Sequence, residues 1–164
     1  MTFLTADDYW DEIHPITGLG DKLSYEDSKL ALDVPMVISY ELVDLNETDY
    51  HFKQAFTLKD TQRYFEVFKE ISCQSINNLI ENGEHSLHFY RTAAKGNLRR
   101  LLEKLCPGCV THDNEPMIYH FALYTDVEKA DRQSGRRSPR VYFMLGRNGM
   151  IFPLFFDPYH EINP

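Results

Sequence analysis

The chain has 164 residues, with 11 phenylalanines, 10 tyrosines, three cysteines and a formal net charge of −8. This length favours a single domain with a substantial core, and the aromatic content excludes a largely disordered chain. No apolar run approaches the roughly 20 residues of a membrane span, and no basic-then-apolar leader opens the chain. An odd cysteine count argues against a disulfide framework, so we expect a cytoplasmic protein without a membrane partner.

The charge is unevenly distributed along the chain. Residues 1–90 hold 17 acidic and 6 basic side chains, whereas residues 91–147 hold 11 basic and 6 acidic ones. Two interpretations stay open: the signs segregate on an ordinary solvated surface, or the basic half forms a patch for a polyanion such as RNA. The chain as a whole lacks the basic charge that is typical of nucleic-acid-binding proteins.

The first half of the chain mixes strand and helix patterns. Residues 1–33 are polar and acidic, and we expect an N-terminal arm with a short helix near its end. Residues 36–43 alternate as a strand does, and residues 50–56 repeat the pattern after a polar turn, which predicts a hairpin. A helix is predicted to begin at 57–60 and to extend to Ile71, and a second one follows, capped by Ser72 or Ser75.

The second half is richer in strand patterns. A strand is predicted at 86–92, then a helix that Asn97 caps and Pro107-Gly108 ends, then a central strand at 117–125. Residues 126–139 are expected to be a mobile loop before the final hairpin. The order of the elements predicts an α+β domain over 34–164, in which a mainly antiparallel sheet has helices packed on one face.

The final hairpin, residues 140–160, is the most informative stretch, because Asn148-Gly149 favours a type I′ turn. With that turn, one face of the hairpin is wholly apolar and must be buried. Its six predicted members are Val141, Phe143, Leu145, Phe152, Leu154 and Phe156. Pro153 cannot donate a backbone hydrogen bond, so its strand lies at an edge or turns its N–H side outward, which leaves homodimerisation open.

The opposite face of the hairpin carries polar side chains. Arg140 is predicted to lie opposite Asp157, with Tyr142 beside it and His160 just beyond the strand. One interpretation is a cross-strand ion pair between Arg140 and Asp157. The other is an oriented guanidinium that, together with Tyr142 and His160, holds a phosphate or a carboxylate.

Two further groups are candidates for chemistry. Cys106 and Cys109, with His112 close behind, supply three of the four ligands that tetrahedral zinc requires. We favour incidental cysteines at a helix end and predict no metal or other cofactor. His88 lies in a predicted strand and is either a half-exposed surface residue or a general acid or base, whereas His120 is expected to be a satisfied core histidine.

The segment from Arg140-Val-Tyr-Phe to Asp157-Pro-Tyr-His160 resembles the C-terminal hairpin of small proteins from phages, plasmids and bacterial defence islands. More distantly, it resembles the late strands of RelE-like ribonuclease toxins, small α+β proteins that cut messenger RNA with arginine, tyrosine, histidine and lysine side chains. The resemblance implies that Arg140 binds the phosphate and that Tyr142 or His160 transfers a proton.

These observations lead to two alternative functions. The first is an RNA-directed, metal-independent endoribonuclease toxin of mobile-element or defence type, with a cognate antitoxin as protein partner. Its predicted catalytic residues are His160, His88 and Tyr142, and its predicted substrate-binding residues are Arg140, Arg91 and Arg147. The alternative is a non-enzymatic immunity or inhibitor protein that binds a basic partner, such as a toxin, through its acidic N-terminal half.

Overall fold

The computed structural model describes residues 25–43, 50, 52, 56–81, 87–108, 110, 116–124 and 138–164, and within the first helix the side chains from Lys29 onward. These residues form four helices and one five-stranded sheet: α1 (Tyr25–Asp33), β1 (Val37–Ile38), α2 (Leu58–Ile71), α3 (Ile76–Glu81), β2 (Tyr90–Thr92), α4 (Gly96–Leu105), β3 (Ile118–Ala122), β4 (Arg140–Leu145) and β5 (Met150–Asp157). The strand order is β1-β5-β4-β3-β2, and only the β1–β5 pair is parallel. The predicted α+β class with a mainly antiparallel sheet is therefore confirmed.

Local sequence signals account for the starts of α2 and α3. At α2, the Asp60 amide donates to Thr57 Oγ1 and the Thr57 amide donates to Asp60 Oδ2, which is a complete capping box. At α3, the Asn78 amide donates to Ser75 Oγ at 3.1 Å, so Ser75 rather than Ser72 makes the cap. Both helices thus begin where a side chain satisfies an amide that the helix itself leaves unpaired.

The start of α4 differs from its prediction. The helix begins at Gly96 with Lys95 at the N-cap position, and no side chain caps it. Asn97, the predicted cap, instead donates through Nδ2 to the carbonyl of Glu161 at 3.1 Å. The helix ends at Leu105, just before Pro107-Gly108, as predicted.

Helices cover both faces of the sheet, so the prediction that they all pack on one face is wrong. The face that α1–α3 cover, here called the α1–α3 face, includes Tyr119, Phe121, Val141, Phe143 and Phe156. The opposite face, here called the α4 face, includes Ile118, Tyr142, Met144, Phe152 and Phe155, which pack with the leucines of α4. The physical reason is that every residue of β3 and β4 is buried, and strands buried on both faces need a layer on each side.

The sheet edges are shorter than the sequence patterns suggest. Of the predicted strand at 36–43, only β1 forms, and it pairs with β5 at Met150 and Ile151 rather than with a hairpin partner. The other arm of that predicted hairpin, 50–56, lies largely outside the described residues. The strand predicted at 86–92 contracts to β2, and the one predicted at 117–125 contracts to β3, which lies between two strands as expected.

The terminal hairpin forms with the predicted turn. Asn148 has φ 54° and ψ 33°, Gly149 has φ 72°, and the Met150 amide donates to the Arg147 carbonyl. Positive φ at both central residues is what a type I′ turn requires. Directly beyond the turn, the Gly146 amide donates to the Met150 carbonyl at 2.7 Å, so Met150 faces both Gly146 and Arg147.

A second irregularity restores the predicted register further along the hairpin. Arg140 pairs with Asp157 and Tyr142 with Phe155, as predicted, but Phe143 then pairs with Pro153. The residue between, Leu154, is the extra residue of a β-bulge. The first irregularity adds a residue on the β4 side of the hairpin, and the second adds one on β5. Their register shifts therefore cancel at the end of the hairpin far from the turn, and only the pairs between the two irregularities are shifted by one residue. Leu154 and Phe152 consequently lie on the α4 face, which corrects their predicted place.

Two segments named in the sequence predictions fall mainly outside the described residues: the arm, of which 25–33 are described, and the loop at 126–139, of which 138 and 139 are described. Within the described part of the arm, α1 carries a fully buried Ala31 that packs in the core of the α1–α3 face. None of the helices in the described part of the chain is both long and apolar enough to cross a membrane.

Candidate functional site

Polar side chains gather at one end of the α4 face, beyond the area that α4 covers. The β2–β3–β4 register places Tyr90 beside His120 and His120 beside Tyr142. At the end of the same face, Arg140 lies between Ala122 and Asp157. His88 precedes β2 and His160 follows β5, so the three described histidines meet here. We call His88, His120 and His160 the histidine cluster.

His120 is at the centre of this cluster. Its side chain is 8% exposed, and its ring centre lies 5.1 Å from that of Tyr142 and 6.4 Å from that of His160. Its Nδ1 shares a hydrogen bond with the hydroxyl of Thr92 on β2. The prediction of a buried histidine with a satisfied ring nitrogen is therefore confirmed, whereas its position near two other histidines was not predicted.

The electrostatics of the cluster keep His120 uncharged at neutral pH. Its pKa is lowered from 6.5 to about 4, chiefly by burial and to a lesser extent by the nearby charge of Arg140 and by His160 and His88. The distances between ring centres agree with this: His160 lies 6.4 Å from His120, and Tyr90 lies 6.3 Å from His88 and 6.1 Å from His120. The structure thus brings together the two histidines that the sequence singled out, with His120 as their shared neighbour.

Both outer histidines have an unusual backbone conformation. His88 has φ 46° and His160 has φ 61°, and each side chain is partly exposed. A positive φ is uncommon outside glycine, and strained backbone of this kind concentrates at functional sites. The tail that carries His160 is held by Asp157, whose carboxylate accepts hydrogen bonds from the amides of Tyr159 at 3.2 Å and Ile162 at 2.7 Å.

Arg140 is a buried guanidinium at the edge of the cluster. It is 7% exposed, and its Nη1 donates to the Ser138 hydroxyl at 3.0 Å and, at longer range, to the carbonyl of Pro139. Asp157 lies opposite it in the ladder, but within the described residues the two side chains form no ion pair. The predicted cross-strand ion pair is therefore corrected: Asp157 binds the tail, and the charge of Arg140 acts on its neighbours His120 and Tyr142.

Tyr142 is less suited to proton transfer than the sequence suggested. Its side chain is fully buried, and within the described part of the chain its hydroxyl makes no hydrogen bond that meets ordinary geometry, although the backbone of Asn163 lies near it. Burial raises the pKa of Tyr142 above its ordinary value, and the negative charge of Asp157 raises it further against the opposing charge of Arg140. A hydroxyl that holds its proton so firmly is a poor acid or base at neutral pH.

The other two predicted substrate-binding arginines lie away from the cluster. Arg91 pairs with Tyr119, whose side chain is on the α1–α3 face, and its charge partly offsets the rise in the pKa of Tyr119 that burial causes. Arg147 is exposed in the hairpin turn. The length of β4 separates it from Arg140 by at least about 17 Å.

A basic strip runs along the exposed side of α4, next to the cluster. Its members are Lys95, Arg99, Arg100 and Lys104, all of which are exposed. The hydrogen bond from Asn97 to the carbonyl of Glu161 ties the first turn of α4 to the residue that follows His160. This contact places the first turn of α4 beside the tail that carries His160.

The weak zinc candidates do not gain support. Cys106 is a free, half-buried thiol at the C-cap of α4, whereas Cys109 and His112 lie outside the described residues. Among the described side chains, no group of three or more histidines, cysteines and carboxylates could hold a metal ion. No protein-family model, curated protein or solved structure matches the chain.

Proposed function

We propose that the chain is a cytoplasmic, RNA-directed endoribonuclease of mobile-element or defence type that needs no metal ion. One observation carries the proposal: two partly exposed histidines from distant segments flank the buried His120, His160 directly and His88 across the ring of Tyr90. An imidazole has a pKa close to neutrality, so a pair of them can act as the acid and the base of one reaction.

The proposed reaction is attack of a ribose 2′-hydroxyl on the adjacent phosphorus. One outer histidine takes the proton of the 2′-hydroxyl, and the other gives a proton to the departing 5′-oxygen. The products are a 2′,3′-cyclic phosphate and a free 5′-hydroxyl. The buried charge of Arg140 favours the negative charge that develops on the phosphate, and the basic strip of α4 attracts the RNA backbone. Tyr142, Arg91 and Arg147 have no part in this mechanism.

The proposal is tested by incubating the purified protein with a mixed-sequence RNA in the presence of a chelator. We expect cleavage products with cyclic phosphate ends and a bell-shaped dependence of the rate on pH. Replacing the attacking hydroxyl by 2′-O-methyl should abolish cleavage. His88→Ala and His160→Ala should each slow cleavage by about 10² to 10⁴-fold, the usual contribution of a general acid or base.

Matched arginine variants distinguish an effect of the histidine cluster from a general effect of the positive charges in residues 91–147. Arg140→Gln should slow cleavage, whereas Arg147→Ala, in the turn at the far end of β4, should not. Circular dichroism checks that each variant folds. If no RNA is cut, or if both histidine variants cut at the wild-type rate, the proposal is wrong. A chain that cuts nothing and co-purifies with a basic protein would instead fit an immunity or inhibitor protein.

A further inference from the structure

Tyr90 is an exposed aromatic ring next to the histidine cluster. It lies in β2, at the outer edge of the sheet, and 51% of its surface is exposed. Its ring centre lies 6.3 Å from that of His88 and 6.1 Å from that of His120. The ring therefore lies beside both a proposed catalytic histidine and the central buried one, while about half of its surface faces solvent.

Phe89, the residue just before β2, shows the surroundings of a purely structural ring here. Phe89 points to the α1–α3 face, is 9% exposed, and stacks on Phe121 with their planes 4° apart. Tyr90 points the other way and keeps an open surface beside the site. An open aromatic ring of this kind favours stacking of a planar group, and nucleobases are such groups.

We propose that Tyr90 is a stacking platform for an unpaired nucleobase, so that the site takes single-stranded RNA. The inference rests on the proposed function, because that function makes RNA the substrate. A base in a duplex is already stacked and paired, whereas a base in a single strand can turn out and lie on a side chain. A base on Tyr90 sets its ribose and phosphate beside His88 and His120, while the basic strip of α4 attracts the neighbouring phosphates.

The experiment measures binding separately from cleavage. The first probe is a fluorescent 2′-O-methyl RNA single strand, which lacks the attacking hydroxyl. The second is a hairpin whose stem holds that same sequence as a duplex. Anisotropy titrations compare the wild type with Tyr90→Phe, which keeps the ring, and Tyr90→Leu, which removes it. Tyr40→Leu is the matched control, because Tyr40 is 48% exposed and follows β1 at the opposite edge of the sheet.

We expect the wild type to prefer the single strand, with Tyr90→Leu binding it about tenfold more weakly and Tyr90→Phe and Tyr40→Leu close to the wild type. Wild-type affinity in Tyr90→Leu, equal affinity for both probes, or no binding at all would overturn the platform. The nuclease proposal is decided separately by cleavage of unmodified RNA. A protein that binds through Tyr90 and cuts nothing refutes the nuclease alone, and one that cuts RNA while Tyr90→Leu binds normally refutes the platform alone.

Discussion

The two faces of the sheet differ in the side chains that they bury. The α1–α3 face is a continuous apolar layer, and Asp60 in α2 is the one charged side chain that is buried there among the described residues. Its carboxylate accepts hydrogen bonds from Thr57 and from the hydroxyl of Tyr124. The α4 face is apolar only under α4, and its open end buries Thr92, His120, Arg140 and Asp157. We therefore expect the first face to contribute more to stability, whereas four of the five buried polar side chains among the described residues lie on the second.

The largest effect in this comparison should come from truncating a ring in the apolar layer. Phe143 is fully buried, and its ring centre lies 5.6 Å from that of Phe89 and 5.8 Å from that of Tyr119. Phe143→Ala removes these contacts and leaves a cavity, so the free energy of unfolding should fall by about 4 kcal/mol. Urea denaturation followed by circular dichroism measures the loss.

The adjacent residue of the same strand is the control for that variant. Met144 lies on the α4 face, is 6% exposed, and packs against α4. Met144→Ala should cost about 2 to 3 kcal/mol, since a smaller and more adaptable side chain is lost. A loss for Met144→Ala as large as that for Phe143→Ala would contradict the expectation that the buried ring carries the larger share of the packing energy.

Local signals explain why much of the fold could be predicted. The Asn148-Gly149 turn is set by backbone dihedral preferences, and the capping box of Thr57 and Asp60 lies within one helical turn. The bulge at Leu154 is not local in this sense. It brings Phe152 to the α4 face, where its ring lies so close to Gly146 that an added Cβ would be 2.8 Å from it. The alternation of apolar residues along the strand does not predict such a contact.

The candidate site was predictable only in part, for the same reason. Histidine chemistry drew attention to His88 and His160, but pairing of β2 with β3 and folding of the tail bring them to His120. Both are long-range events that residue spacing does not encode. The same pairing sets Arg91 beside Tyr119, away from the histidine cluster, and its predicted role in substrate binding stays a prediction.

The second prediction concerns acid sensitivity of the polar end. The pKa of His120 is about 4 in the folded chain against 6.5 ordinarily, so the unfolded chain binds more protons between these pH values. The contribution of His120 to the free energy of unfolding is fully present above pH 6.5 and is lost as the pH falls toward 4. The loss amounts to about 3 kcal/mol. Denaturation of the wild type and of His120→Gln between pH 7 and pH 4 measures the difference between the two curves.

Carboxylates also titrate in this range, but they do so in both proteins, and only the difference belongs to His120. The stability of His120→Gln should therefore fall less steeply with acid than that of the wild type. Parallel curves would mean that the histidine is as easily protonated in the folded chain as in the unfolded one. The polar end of the α4 face would then be open to water.

The smallest effect is also the most direct contrast between the faces, because the same atom is removed from each. Tyr124 is 2% exposed and its hydroxyl donates to Asp60 at 2.9 Å, whereas the fully buried hydroxyl of Tyr142 has no such partner. Tyr124→Phe should lower the free energy of unfolding by about 1.5 kcal/mol, since it removes a hydrogen bond to a charged group. Tyr142→Phe should leave the stability unchanged or raise it by up to about 1 kcal/mol, because the folded chain no longer buries an unbonded hydroxyl. Paired denaturation curves decide the matter, and a loss in Tyr142→Phe equal to that in Tyr124→Phe would show that the hydroxyl has a partner at the polar end.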